Sequence, residues 1–175
     1  MAFPSIYLQE TTDSLSVRIS ALTNETPALW GKMDVAQMLA HCNVTYEYLY
    51  TDKHPKPNFL IKLILKLFVK GKVVGDKLEY AKNSPTAPEF KMSDKKSFEK
   101  ERDLLIQNIL RTQELGEAYF DNRESHSFGV LTKNEWNNMF FYSIMKFKAR
   151  FFGVVKASHL FEFVISIIVK SGIFC

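Results

Sequence analysis

The chain has 175 residues and a mass of 20.3 kDa, with 46% hydrophobic and 24% charged side chains, the composition of one ordinary globular domain. That excludes a disordered tail or a collagen-like fibre, and a chain this long can bury a real hydrophobic core without a structural metal or disulfide. The net charge of +4 is unevenly spread: residues 1–139 hold 18 of the 23 Lys+Arg and 18 of the 19 Asp+Glu, so the surplus lies in residues 140–175. A neutral main body argues against a general phosphate-binding surface, and no nucleic-acid partner is expected.

Two cysteines, Cys42 and Cys175, are too few for a secreted disulfide framework and favour a reducing compartment. The N-terminal MAFPSIYLQETTD has neither a basic start nor a continuous apolar run, so it does not read as a signal peptide, and the expected location is the cytoplasm. The longest apolar stretches, 58–69 and 157–169, are interrupted by Lys or Glu and fall short of the roughly 20 residues of a membrane span.

In chain order, Leu15, Ile19 and Leu22 mark a short amphipathic helix over 13–22. Asp34 can cap a second helix, on which Val35, Leu39, Cys42, Tyr46 and Leu49 form one apolar stripe beside Met38, His41 and Thr45. It should stop at Thr51, before His54-Pro55-Lys56-Pro57. Residues 59–70 predict a helix with Lys62, Lys66 and Lys70 stacked along one edge. Such a segment reads as a helix buried on three sides with a solvated lysine edge, in preference to one lying on a membrane surface.

Residues 71–92, with Gly71, Gly75, Pro85 and Pro88, predict a long connection. A charged helix then runs from Ser93 or Asp94 to about Leu115, with Phe98, Arg102, Leu105, Ile109 and Leu110 inward and Gly116 ending it. Thr132-Lys-Asn-Glu135 is a capping box that opens a last long helix, with Trp136, Met139, Phe140, Ser143, Phe147 and Phe151 at helical spacing. All six prolines lie at or before Pro88, and no run alternates as a strand would, so the expected fold is all-α: four main helices in a bundle with the 59–70 helix at one end. Its core should include Leu39, Cys42, Tyr46, Leu105, Ile109, Trp136, Met139 and Phe140. Cys42, on the apolar stripe, reads as a buried inert thiol, and His54 as an exposed loop histidine.

The run Leu29-Trp30-Gly31-Lys32-Met33-Asp34-Val35-Ala36-Gln37-Met38-Leu39-Ala40-His41-Cys42 resembles the "WGKM-xx-QMLAH" signature of a branch of the DinB-like superfamily. Gly75-Asp76-Lys77, Pro85-Thr86-Ala87-Pro88-Glu89-Phe90 and the segment from His126 to Trp136 continue the likeness, which covers roughly residues 6–142. The resemblance implies an up-down four-helix bundle over residues 1–153. In many members of that superfamily three histidines hold a divalent metal, zinc or nickel, which activates a thiol for transfer or isomerisation. His41 matches the first ligand position. The other two are expected one turn apart on the last helix, where this chain has Ile144 and Lys148. Isoleucine has no lone pair, and a lysine ammonium must lose its proton before it can ligate.

The resemblance therefore implies a bundle with a degenerate metal site, no bound metal and no catalytic residue. The alternative is a metal-dependent transferase or thiol-linked enzyme. His126 is a candidate for bracing a ligand or touching substrate, though a role in bracing the loop before Thr132 is the plainer reading. No P-loop, GxGxxG, HExxH, GxSxG or CxxC occurs. After Tyr142 the expected polar residues give way to Phe, Ile, Val and Lys, through divergence or a changed reading frame. Residues 154–175 form an apolar C-terminal extension beyond the family pattern, expected to drive self-association into a homo-oligomer more than contact with a lipid surface.

Overall fold

The computed structural model describes residues 3–29, 31–75 and 87–151, with side chains in the last helix as far as Ile144. Trp30, the Lys148 side chain and the extension 154–175 lie outside the described residues. The chain is mostly helical: α1 (Gln9–Ser20), α2 (Val35–Tyr50), α3 (Phe59–Ile64), α4 (Lys70–Val74), α5 (Phe98–Phe120) and α6 (Lys133–Phe151).

The helix starts follow from local chemistry. At α2 the Gln37 amide donates to Asp34 Oδ1 (2.8 Å) and the Asp34 amide to Gln37 Oε1 (3.1 Å), a reciprocal cap that satisfies two otherwise orphaned donors. Thr132 and Glu135 do the same at α6, with the Thr132 amide 3.0 Å from Glu135 Oε2. α5 does not end at Gly116. The glycine takes φ 71°, ψ 167°, a left-handed break that a side chain would resist, and the chain returns to helix as far as Phe120.

α2 packs against both α5 and α6, and α1 against α5. The centre is aromatic. Phe140 stacks on Tyr46 at 5.1 Å and meets Phe120 edge-on at 5.5 Å, while Trp136 closes the cluster against both phenylalanines. Leu39, Cys42, Tyr46, Leu105, Ile109, Trp136 and Phe140 are buried as expected; Met139 is only half-buried at the core's edge. The N-terminal segment is tied to α6. Asn137 accepts from the Ile6 amide (2.8 Å) and donates to the Pro4 carbonyl (3.2 Å), and the Tyr7 hydroxyl donates to the Lys133 carbonyl (2.9 Å).

Several expectations change. Leu110 is 36% exposed rather than inward, and Arg102 is half-buried with its guanidinium over the Phe98 ring, 5.3 Å from its centroid. A two-stranded antiparallel hairpin, β1 (Arg123–Ser125) with β2 (Gly129–Leu131), joins α5 to α6, a small addition to a fold that is otherwise all-α as expected. Within it Ser125 Oγ donates to the Gly129 carbonyl (2.8 Å) and accepts from the Phe128 amide (2.9 Å). The 59–70 helix runs on to Val74 through a π turn, Leu65–Val69, and its orientation is the reverse of the expected one. Lys62 and Lys70 point to the protein body, paired with Glu124 (2.5 Å) and Glu135 (2.7 Å), whereas the apolar side chains point outward.

Candidate functional site

His41 lies on α2, and only 8% of it is exposed. Its Nδ1–H donates to the Phe90 carbonyl at 2.8 Å, and the Phe90 ring meets the imidazole edge-on at 5.1 Å. Phe90 is delivered by a short 3₁₀ turn, Pro88–Phe90, whose proline supplies the fixed φ of a helical first position. A neutral imidazole with its proton on Nδ1 carries its lone pair on Nε2. A backbone carbonyl that accepts from one ring nitrogen is also how ligating histidines are oriented.

The next residue sets the register against α6. The Cys42 thiol is buried and reaches the Ser143 carbonyl at 3.7 Å, so His41 and Ile144 are the chain neighbours of two touching residues. Ile144 is 3% exposed and belongs to the hydrophobic core. An imidazole at that position would enter the α2–α6 interface, but isoleucine brings only methyl and methylene groups there. Among the described residues no group of three or more His, Cys, Asp or Glu gathers at metal-binding spacing. The donor set present here does not fit a resident zinc or nickel, which wants three protein ligands.

A second constellation, around Tyr48, was not foreseen from the sequence. The Tyr48 ring lies flat on His126 at 4.0 Å between centroids, and His54 and Phe90 meet it edge-on at 5.0 and 5.5 Å. His54 is therefore not an exposed loop histidine: it is half-buried, and its Nε2–H donates to Glu47 Oε2 at 2.7 Å. Glu47 also takes the Lys53 ammonium at 2.6 Å. Burial alone would raise the Glu47 pKa, but the hydrogen bonds from Lys53 and His54 outweigh it and hold the carboxyl below its ordinary range.

Burial, followed by the adjacent Glu89 carboxylate, holds the Tyr48 phenol protonated well above the usual tyrosine range. His126 is shifted the other way. Burial lowers its pKa, against the backbone of His54 and Pro55, which favours the charged form. Its Nδ1 pairs with Ser127 Oγ at 2.9 Å, and its buried Nε2 meets no partner at hydrogen-bonding geometry among the described residues. His126 thus lies in the hairpin turn and stacks on α2 through Tyr48. The Tyr48–Phe90 contact links it to the His41 neighbourhood.

The carboxylate Glu101 is occupied structurally. Asn43, buried on α2, donates its amide to both the carbonyl and Oε2 of Glu101 (3.0 and 2.9 Å) and accepts from Asn108 Nδ2 (3.3 Å). Nothing in the chain's periodicity singles out Asn43, because its partners come from α5.

No family model, curated protein or solved structure matches the chain.

Proposed function

We propose that the chain is a DinB-like four-helix bundle whose ancestral metal position has degenerated, and that it works without metal-dependent catalysis. The observation that carries this reading is the crossing of α2 and α6. There His41 keeps the carbonyl-held orientation of a ligand while Ile144, beside the Ser143 that Cys42 touches, is packed into the core. Among the described residues no group of three or more His, Cys, Asp or Glu gathers at metal-binding spacing, which supports a binding or structural role over a metal-dependent enzymatic one. The buried free thiol of Cys42 suits the reducing environment of the cytoplasm.

Metal analysis of the purified full-length chain tests the proposal. Zinc and nickel are expected well below one per chain. The variant carrying Ile144→His and Lys148→His should gain one zinc per chain, and His41→Ala in that background should remove it. Stoichiometric metal in the unmodified protein that is lost in His41→Ala would establish the second reading, a metal-dependent transferase or thiol-linked enzyme. The Nδ1–carbonyl bond of His41 is the one feature that favours it.

A further inference from the structure

The segment from Phe59 to Val69 places no residue in the core. Phe59 is 82% exposed and Phe68 69%, and Leu60, Ile61, Leu63, Ile64 and Leu67 are exposed with them. Leu60, Leu63, Ile64 and Leu67 follow helical spacing, so these side chains form one continuous surface. It amounts to on the order of 700 Å², against roughly 300–600 Å² for the largest apolar patch on an ordinary monomer. The burial on three sides expected for this helix is absent among the described residues.

The charge around the patch identifies what would cover it. Residues 53–75 contain Lys53, Lys56, Lys62, Lys66, Lys70 and Lys72 and no Asp or Glu. Lys62 and Lys70 are turned back to Glu124 and Glu135, and Lys53 to Glu47. Lys56, Lys66 and Lys72 are exposed beside the apolar residues. A second copy docking here would bring like-charged lysines together, which opposes association. The chain's own residues 154–175 carry Lys156 and Lys170 against Glu162 alone, so they too bring no net negative charge. An outward apolar face bordered by cations, on a segment tied back to the body through Lys62 and Lys70, matches the headgroup–acyl boundary of a bilayer.

We propose that the Phe59–Phe68 face docks in the plane of a lipid surface containing anionic headgroups. The apolar side chains enter the boundary layer, and Lys56, Lys66 and Lys72 lie at headgroup level. The interaction is peripheral, because among the described residues no helix is long and apolar enough to cross a membrane.

The test uses the full-length chain with Leu67→Cys and Cys175→Ser, carrying an environment-sensitive fluorophore at position 67. Cys42 is buried and should not label. Vesicles of phosphatidylcholine alone are compared with vesicles that also contain phosphatidylglycerol. Emission should shift to the blue only with the mixed vesicles and weaken with added salt, and Lys66→Gln should reduce affinity about five-fold. A Phe59→Ser, Phe68→Ser variant should lose binding at least ten-fold with unchanged thermal unfolding, since neither ring is buried. A blue-shifted label without lipid would overturn the proposal, assigning the face to the chain's own segment if independent of protein concentration and to a second copy if dependent on it. Equal binding to both vesicles, no binding, or binding that survives loss of both phenylalanines would overturn it as well.

Discussion

Tyr46 and Tyr50 lie one turn apart on α2, and removing their hydroxyls should shift stability in opposite directions. The Tyr46 side chain is buried against Phe140, and its hydroxyl has no hydrogen-bond partner among the described residues. Burying a hydroxyl without a partner costs about 1–3 kcal/mol in proteins. Tyr46→Phe removes that cost and keeps the stacked ring. It leaves a void the size of one oxygen, roughly 10–15 Å³, worth only about 0.3 kcal/mol at ~24 cal/mol per Å³. The net expectation is a stabilisation of about 1 kcal/mol, a rise in Tm of about 2–4 °C for a chain of this size.

The Tyr50 hydroxyl is within 2.8 Å of Thr112 Oγ1, which already gives its proton to the Asn108 carbonyl (2.8 Å), so Tyr50 is the donor. Tyr50→Phe should therefore cost about 1 kcal/mol. Both variants are read by urea and thermal unfolding of the full-length chain, followed by circular dichroism. A Tyr46→Phe variant destabilised by as much as Tyr50→Phe would refute the reasoning, because the hydroxyl would then have to be satisfied.

Three further outcomes are expected. Asn43→Ala removes the amide that bridges Glu101 and Asn108 and should cost about 2–4 kcal/mol in urea unfolding, since buried polar groups on α5 lose their partner. Asp34→Ala breaks the reciprocal cap of α2 and should cost about 1 kcal/mol, recovered largely by Asp34→Ser. Burial depresses the His126 pKa in the folded state, so the unfolded chain binds the extra proton first; stability should fall as pH drops below about 6.5 and stop falling once the folded form also protonates. The His126→Phe variant keeps a ring on Tyr48 and should flatten that part of the pH–stability profile; an unchanged profile would remove His126 as its cause.

What could be read from the sequence was what chain neighbours decide. The starts of α2 and α6 rest on Asp34–Gln37 and Thr132–Glu135, three residues apart, and the α2 stripe of Leu39, Cys42 and Tyr46 keeps the 3.6-residue period of a buried face. What could not be read depends on contacts that no helical or strand period announces, some of them between residues close in the chain. The three-residue strands of the hairpin are too short to show alternation, and they are set by Ser125 and by Gly129 at φ 75°. His54 gave no local sign of burial because Glu47 and Tyr48 reach it from α2. At the candidate metal position, the residue types at His41, Ile144 and Lys148 were visible, but the Phe90 carbonyl that orients His41 comes from a separate turn.

The inversion of α3 shows why periodicity fixes a helix's two faces without fixing which one is solvated. Lysines every four residues beside a run of Leu, Ile and Phe describe the same amphipathic helix in either orientation. The choice falls to Glu124 on β1 and Glu135 on α6, which receive Lys62 and Lys70, and to the far end of the segment. There Val74 enters the core and its carbonyl accepts from Asn138 on α6 at 3.0 Å. Exposed ion pairs contribute about 0–1 kcal/mol each, so they orient the helix more than they stabilise it. The firm attachment is at Val74, where α4 packs on α6. A helix secured at one end and steered by weak pairs along its length, with its apolar residues outward, gains little from folding in water. The docking proposed for the Phe59–Phe68 face would supply the apolar contact that these residues lack among the described residues.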